Sequence, residues 1–83
     1  MHSVILTPAA ERDLKKLDAT LVKRIMAALD RLQKDPREPG VKKLKGQKNE
    51  WRIRVGDYRI LFTIDDTKRI VLVHRIGPRS AVY

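Results

Sequence analysis

The chain has 83 residues, of which 19 are lysine or arginine, 10 are acidic and none is cysteine, giving a formal net charge of +9. This length predicts one domain, 1–83. The lack of cysteine excludes disulfides and thiolate metal sites. No apolar run approaches the roughly 20 residues of a membrane span, and the N-terminus does not resemble a signal peptide. We therefore expect a cytoplasmic protein that does not bind a membrane.

The chain begins with a predicted strand and a predicted helix. Ser3–Leu6 is a short apolar stretch that favours a strand. Thr7 is a suitable N-cap, and the following proline suits the first helical position. Apolar residues then recur at helical spacing, which predicts a helix over Pro8–Leu17. These apolar residues are Ala10, Leu14 and Leu17.

A second helix is predicted after a short break. Asp18 or Thr20 can cap its N-terminus. An apolar stripe with a 3.6-residue period follows, and it is typical of a helix face that packs on a core. The stripe comprises Leu21, Val22, Ile25, Met26, Ala28, Leu29 and Leu32. The helix should end near Asp35, because Pro36 disfavours a helical residue before it.

The second half of the chain predicts a sheet. We interpret Val41–Asn49 as a basic connection anchored by Leu44, and we predict strands at about 51–55, 58–65 and 69–76. Consecutive strands with short turns form an antiparallel meander, and a helical hairpin can cover its apolar face. The expected fold is a small two-layer α+β domain with the order β-α-α-β-β-β.

The stretch from Trp51 to Phe62 has the pattern of a β-hairpin. A Gly56-Asp57 turn would fix its register, and the expected pairs are Val55 with Tyr58, Arg54 with Arg59, Ile53 with Ile60, and Trp51 with Phe62. Side chains alternate between the two faces of a strand. One face is therefore apolar, with its aromatic residues in the core, and the other carries Arg52, Arg54 and Arg59. Like charges opposite each other destabilise a hairpin, so this pattern indicates a site for an anion.

The length of the turn at Asp65–Lys68 decides where the last strand places its side chains. An odd-length turn puts Ile70, Leu72 and His74 on the apolar face and Arg75 with the other arginines. An even-length turn does the reverse. In either case a structural role for His74 is favoured over a catalytic one.

Positive charge is concentrated in the second half of the chain. Residues 42–83 carry 11 basic and 4 acidic side chains, whereas residues 1–41 carry 8 and 6. Such a distribution favours a polyanion as partner, with nucleic acid the leading candidate. The two histidines have no carboxylate at metal-ligand spacing, so no metal or other cofactor is expected.

The C-terminal residues add chemistry to the predicted arginine face. Arg79 and Tyr83 follow the last strand and can fold back beside that face. Arginine offers a planar fork of donors for phosphate oxygens, and tyrosine can stack on a base or take part in proton transfer. Arginine stays protonated and is a poor general base. The residues therefore favour binding an RNA phosphate, and they support its cleavage less strongly.

Four segments together resemble the RelE/ParE superfamily of toxins from toxin–antitoxin pairs, and the RelE branch more closely. They are Lys42 to Gly46 (Lys-x-Leu-x-Gly), Trp51-Arg52-Ile53-Arg54, Gly56-Asp57-Tyr58-Arg59, and the ending Gly77-Pro78-Arg79-Ser80-Ala81-Val82-Tyr83. The resemblance implies a metal-independent endoribonuclease that enters the ribosomal A site and cuts mRNA there. In that reaction the 2′-hydroxyl attacks the adjacent phosphate and leaves a 2′,3′-cyclic phosphate.

The resemblance also implies a role for each candidate residue. Arg59 would stabilise the reacting phosphate, Arg79 would contact it and assist the leaving group, and Tyr83 would stack on a base or act as general base. The residues expected to grip RNA phosphates are Arg52, Arg54 and, with lower priority, Arg75. The residues expected to contact ribosomal RNA are Lys42, Lys43, Lys45 and Lys48.

The partners implied are a cognate antitoxin, the ribosome with its mRNA, and operator DNA through the antitoxin alone. Two other functions stay open from the sequence. One is inhibition of DNA gyrase, as in ParE-like toxins. The other is nucleic-acid binding without catalysis, as in an inactive toxin that represses its operon together with an antitoxin.

Overall fold

A computed structural model describes residues 1–46 and 48–79 of the chain. The elements in chain order are β1 (Ser3–Leu6), α1 (Pro8–Lys15), α2 (Ala19–Lys34), β2 (Val41–Lys43), β3 (Trp51–Val55), β4 (Tyr58–Asp65) and β5 (Ile70–Pro78). The predicted α+β class is confirmed, with two helices packed on a sheet. Within the described ranges, no helix is long and apolar enough to cross a membrane.

The five strands form one mixed sheet in the order β1-β5-β4-β3-β2. The predicted antiparallel meander of β3, β4 and β5 is present. The first strand joins it in parallel, with Ser3 opposite Ile70 and Leu6 opposite Val73. Val41–Lys43 differs from the prediction, because part of the expected connection is a short edge strand that pairs with β3. Three residues with two lysines carry too little alternation to indicate a strand.

Both helices begin at the residues that the sequence indicates. The Thr7 hydroxyl accepts a hydrogen bond from the Ala10 N–H at 3.2 Å, and the Asp18 carboxylate accepts one from the Leu21 N–H at 2.8 Å. The first helix ends at Lys15, because the next N–H groups bond three residues back and tighten the last turn. The second ends before Asp35, whose extended backbone fits its position ahead of proline.

The core lies between the helices and one face of the sheet, here called the inner face. The sheet contributes Ile53, Val55, Ile60, Phe62, Ile64, Val71, Val73 and Ile76, and the helices contribute Ala10, Ile25, Ala28, Leu29 and Leu32. Alternation in the strands selects the sheet positions as far as Val73, and the 3.6-residue period selects the four core residues of α2. The predicted stripe was too wide, because Met26 at its edge is 45% exposed. The opposite, outer face carries the residues between them, including Arg52, Arg54 and Arg59.

The turn between β4 and β5 settles the alternative that the sequence left open. Asp65 pairs with Ile70, so four residues form the turn and the even-length case holds as far as His74. It is wrong for Arg75, which lies opposite Leu61 and is exposed rather than on the apolar face. Val71 and Val73 are therefore buried in the core. A bulge then changes the alternation, since Phe62 pairs with Val73 but the preceding Leu61 pairs with Arg75. His74 is the extra residue, and after it Ile76 returns to the core.

Replacing Phe62 with alanine should destabilise the fold by about 3–5 kcal/mol, because Phe62 is the largest fully buried side chain in the described ranges and its removal leaves a cavity. Met26→Ala is the matched control, since that side chain is 45% exposed and its loss should change stability by no more than about 0.5 kcal/mol. Urea unfolding followed by circular dichroism measures both. Equal losses would contradict the assigned core.

Candidate nucleic-acid interface

The β3–β4 hairpin has the predicted register, and it places two arginines side by side. Arg54 lies opposite Arg59, one pair away from the turn, as predicted. Gly56 in the turn has φ of +61°, a conformation that side chains disfavour. A Cβ atom at Gly56 would also lie 3.0 Å from Nη2 of Arg24 in α2. Glycine therefore permits both the tight turn and the approach of α2 to it.

A cavity of about 150 Å³, here called the arginine cavity, opens beside this turn. Its lining residues are Arg54, Gly56, Asp57, Tyr58, Arg59 and Arg79. Two chain segments build it. Arg59 pairs with Gly77 across β4 and β5, and the Arg79 N–H donates to the Asp57 carbonyl at 3.1 Å. The structure thus brings together three of the arginines that the sequence selects.

The three arginines differ in exposure, and this difference matters for anion binding. Arg59 is only 7% exposed, whereas Arg54 and Arg79 are exposed. A guanidinium away from bulk water interacts more strongly with a nearby charge, because the effective dielectric constant is lower there. The arrangement suits an anion that reaches the buried Arg59 and is held from the rim by the other two. Phosphate oxygens fit such forked donors.

Other predicted basic residues extend along the sheet away from the cavity. Arg52 is half-buried and pairs with Leu61 on one side and Lys42 on the other. Lys43 lies opposite Trp51 of β3, with its Nζ 5.7 Å from the centre of the Trp51 ring. Lys45 and Lys48 are exposed beyond β2. The candidate ribosome-contacting lysines therefore lie toward the β2 edge and not around the cavity.

Tyr83, the remaining catalytic candidate, lies outside the described residues. His74 lies on the outer face, where its Nε2 is 3.0 Å from the Thr63 hydroxyl and its carbonyl accepts a hydrogen bond from the Thr7 hydroxyl at 3.0 Å. These contacts fit the structural role favoured for it. Among the described residues, no group of three histidine or acidic side chains could hold a metal ion.

Arg75 does not line the arginine cavity, and its guanidinium contacts α1. Its Nε donates to Oδ2 of Asp13 at 2.8 Å and its Nη2 to Oδ1 at 3.3 Å. The Ile76 N–H donates to the same Oδ2 at 2.9 Å. Burial acts to raise the pKa of the Asp13 carboxyl, but the bonds from Arg75 and Ile76 outweigh it, so the pKa lies below its ordinary value.

Asp13 is a residue that the sequence reasoning missed, although a signal for it was present. It occupies the apolar stripe of α1, three residues after Ala10 and next to Leu14. A carboxylate on the buried side of a helix requires hydrogen-bond donors nearby. The spacing thus indicated a partner, but it could not identify Arg75, which is 62 residues away.

A second arginine–aspartate pair lies at the other end of β4. Arg37 donates to Asp66 at 3.0 and 2.9 Å, and these hydrogen bonds lower the pKa of the Asp66 carboxyl, with a smaller contribution from His2. The Arg37 guanidinium also lies 5.1 Å from the centre of the Trp51 ring. Trp51 is therefore half-buried against the core with a cation on its ring.

Several known proteins are similar to this chain. The chain matches the model of the ParE toxin of type II toxin–antitoxin systems over residues 4–83. It is 31% identical over 85 residues to Toxin RelE3 of Methanocaldococcus jannaschii, covering 96% of this chain and 93% of that protein.

Two solved structures have a similar fold. The structure of the toxin–antitoxin complex RelBE2 from Mycobacterium tuberculosis matches with a TM-score of 0.84 and 30% identity, covering 94% of this chain and 98% of that chain. The isolated Escherichia coli RelE toxin matches with a TM-score of 0.84 and 25% identity, covering 100% and 92%.

The stability contributed by Asp13 should depend on pH. Its pKa is depressed in the folded state, so the stabilisation is fully present above the ordinary carboxyl pKa and is lost as the pH falls below about 4. Asp13→Asn should therefore cost about 1–3 kcal/mol at pH 7 and progressively less in acid. Urea titrations of both proteins between pH 3 and pH 7 measure this. A difference that does not change with pH would contradict the assigned ion pair.

Proposed function

Because the chain belongs to the RelE/ParE superfamily of type II toxin–antitoxin toxins, we propose that it is a ribosome-dependent endoribonuclease that cuts mRNA in the A site. The observation that carries the proposal is the arginine cavity, in which a buried arginine and two exposed ones converge. Such a site matches a phosphodiester whose negative charge increases during cleavage. Similar proteins are named RelE, which supports placing the chain in the RelE branch of the superfamily.

The proposed reaction breaks the RNA backbone without adding water. The 2′-oxygen forms a bond to the adjacent phosphorus while the bond from phosphorus to the 5′-oxygen breaks, leaving a 2′,3′-cyclic phosphate and a 5′-hydroxyl. Arg59 stabilises the charge on the equatorial phosphate oxygens, and Arg79 donates hydrogen bonds toward the leaving oxygen. Tyr83 takes the proton from the 2′-hydroxyl, or it stacks on a base and water takes that proton. In both cases the leaving 5′-oxygen receives its proton from water. No metal ion is part of this proposal.

The remaining arginines hold the RNA on either side of the reacting phosphate. Arg54 lies beside Arg59 and grips the same phosphate. Arg52 and Arg75 lie on the two sides of Leu61, two residues further along β4. From there they contact neighbouring phosphates, and Arg75 does so with the donors that Asp13 leaves available. The lysines at and beyond β2 contact the backbone of ribosomal RNA.

We propose a cognate antitoxin as the regulatory partner, since the similar protein from Mycobacterium tuberculosis was solved as a toxin–antitoxin complex. An acidic antitoxin segment that enters the arginine cavity would replace the RNA phosphate with carboxylates. The toxin would bind operator DNA only through its antitoxin. Complex formation should therefore abolish RNA cleavage at a stoichiometric ratio.

A second candidate function is inhibition of DNA gyrase. The observation that favours it is the match to the ParE toxin model over residues 4–83. A gyrase inhibitor does not need a phosphate site with a buried arginine, so the arginine cavity favours RNA cleavage. A supercoiling assay with purified gyrase separates the two functions, because an RNA endonuclease leaves supercoiling unchanged.

Primer extension on mRNA bound to programmed ribosomes tests the proposed activity. The antitoxin-free protein should cut within the A-site codon and leave free mRNA intact. Arg79→Ala should keep the fold, since that side chain is exposed, and should slow cleavage by about 10²- to 10³-fold and relieve growth arrest. Arg59→Ala should have at least as large an effect on cleavage.

Arg31→Ala is the matched control for these arginine variants. That residue lies on α2, and its ion pair with Glu38 is at the surface, with Arg31 51% exposed. The Arg31→Ala variant should cut mRNA at the wild-type rate. Intact mRNA with folded wild-type protein would reject the endonuclease proposal and leave gyrase inhibition or nucleic-acid binding without catalysis. Undiminished cleavage by Arg79→Ala would reject the role of that arginine.

The lysines at and beyond β2 should affect ribosome binding more than the chemical step. Replacing Lys42, Lys43, Lys45 and Lys48 together with glutamine should weaken ribosome binding and make it less sensitive to salt. Each lost phosphate contact should reduce the slope of log affinity against log salt by roughly 0.7–0.9. The cleavage rate at saturating ribosomes should stay near that of the wild type. Filter binding and single-turnover cleavage measure the two properties, and an unchanged salt slope would contradict the assignment.

A further inference from the structure

The last strand of the sheet extends beyond its parallel neighbour. The pairing of β1 with β5 stops at Leu6 and Val73, but β5 continues to Pro78. Backbone groups along that edge after Val73 therefore face no strand, and buried backbone groups require partners. Thr7 supplies the first two contacts, because its N–H donates to the Val73 carbonyl at 2.9 Å and its hydroxyl donates to the His74 carbonyl at 3.0 Å.

Asp13, six residues after Thr7, completes this edge. Its carboxylate side chain is only 10% exposed and accepts from the Ile76 N–H at 2.9 Å, where a strand partner would otherwise be needed. It also accepts from Arg75 Nε at 2.8 Å and Nη2 at 3.3 Å. A single carboxylate thus holds two consecutive residues of β5 against α1.

The residues that follow Ile76 lead directly into the arginine cavity. Gly77 pairs with the buried Arg59, Pro78 pairs with Tyr58, and the Arg79 N–H donates to Asp57 in the turn. Residues 76–79 are here called the β5 terminus. Its position determines where Arg79 projects and how closely the backbone covers Arg59.

We propose that Asp13 is a positioning residue for the arginine cavity, which holds the β5 terminus so that Arg79 and Arg59 face the same phosphate. It does not line the cavity and acts through the backbone of Ile76 and the side chain of Arg75. The effect on cleavage rests on the function proposed above. The effect on the position of the β5 terminus does not depend on that function.

Loss of Asp13 should act on the β5 terminus more than on the fold as a whole. The Ile76 side chain remains in the core on the far side of the strand, packed with Ile60. The residues after it are then held by pairing with β4 and by the bond from Arg79 to Asp57. Segments with few remaining contacts open locally at a smaller free energy than the core.

The experiment compares Asp13→Ala with Asp66→Ala. Each variant removes a carboxylate that binds an arginine through two hydrogen bonds, but Asp66 lies at the opposite end of β4. Hydrogen exchange of the Arg79 amide, followed by NMR, reports on the β5 terminus without any activity assay. Exchange of the amides of Phe62 and Val71, two core residues that are each paired with a strand on both sides, reports on the whole fold.

In Asp13→Ala, hydrogen exchange of the Arg79 amide should become at least about tenfold faster relative to that of the two reference amides. Asp66→Ala should leave this ratio of exchange rates unchanged. Single-turnover cleavage by Asp13→Ala should slow by about 10- to 100-fold at unchanged ribosome affinity, since a displacement of about 1 Å is enough for such a loss. Asp13→Asn keeps an oxygen acceptor for the Ile76 N–H and should recover part of both properties.

Two results would overturn the proposal. If Asp13→Ala speeds exchange of the Arg79 amide no more than exchange of the reference amides, Asp13 contributes only to the stability of the whole fold. If the Arg79 amide is selectively accelerated but cleavage keeps its rate, Asp13 orders the strand without positioning the site. A wild-type protein that does not cut mRNA would reject the endonuclease function, and the exchange measurement would still decide whether Asp13 holds the β5 terminus.

Discussion

The packing of α2 on the inner face of the sheet is the contact on which the rest of the structure depends. Ile25 and Leu32 of the helix and Phe62 of the central strand are almost fully buried there. Burial of such side chains contributes about 1.5–3 kcal/mol each. Because the apolar residues of the chain are gathered on this one side, the other side of the same strands is available for charged residues.

That division makes the position of the arginines possible. Arg54 and Arg59 are opposite each other in a hairpin, an arrangement that destabilises a sheet. Their neighbours on the same strands, Ile53 and Ile60, are in the core and fix the register that brings the two charges together. Packing of the core therefore offsets the stability that the two opposed charges cost at the candidate site.

Local patterns in the sequence were enough to predict much of the fold and part of the site. Alternation around Gly56 gave the hairpin register and the pairing of Arg54 with Arg59. Capping residues gave both helix starts. The parallel partner of β1 was not predictable in this way, because β1 and β5 are far apart in the chain and no local pattern encodes their pairing. The bulge at His74 was equally hidden, since it changes the alternation after Val73.

The candidate site was predictable where it depends on strand alternation and not where it depends on contacts between distant segments. Arg59 and Arg79 meet in one cavity, as the fold-back of the C-terminal stretch suggested. Arg75 was placed among the phosphate ligands from its position in the strand alone. Its contact with Asp13 joins the first helix to the last strand, and such a contact becomes visible only when the chain is folded.

The environment of Trp51 gives the protein an intrinsic optical reporter. It is the only tryptophan in the chain, and its ring lies near the guanidinium of Arg37 and the ammonium of Lys43. Indole emission responds to nearby charge and to water. A ligand that draws Lys43 away from the ring, or that breaks the contact of Arg37 with Asp66 in the β4–β5 turn, would change the fluorescence of the unlabelled protein. Binding at that edge of the sheet could then be followed in real time without attaching a dye.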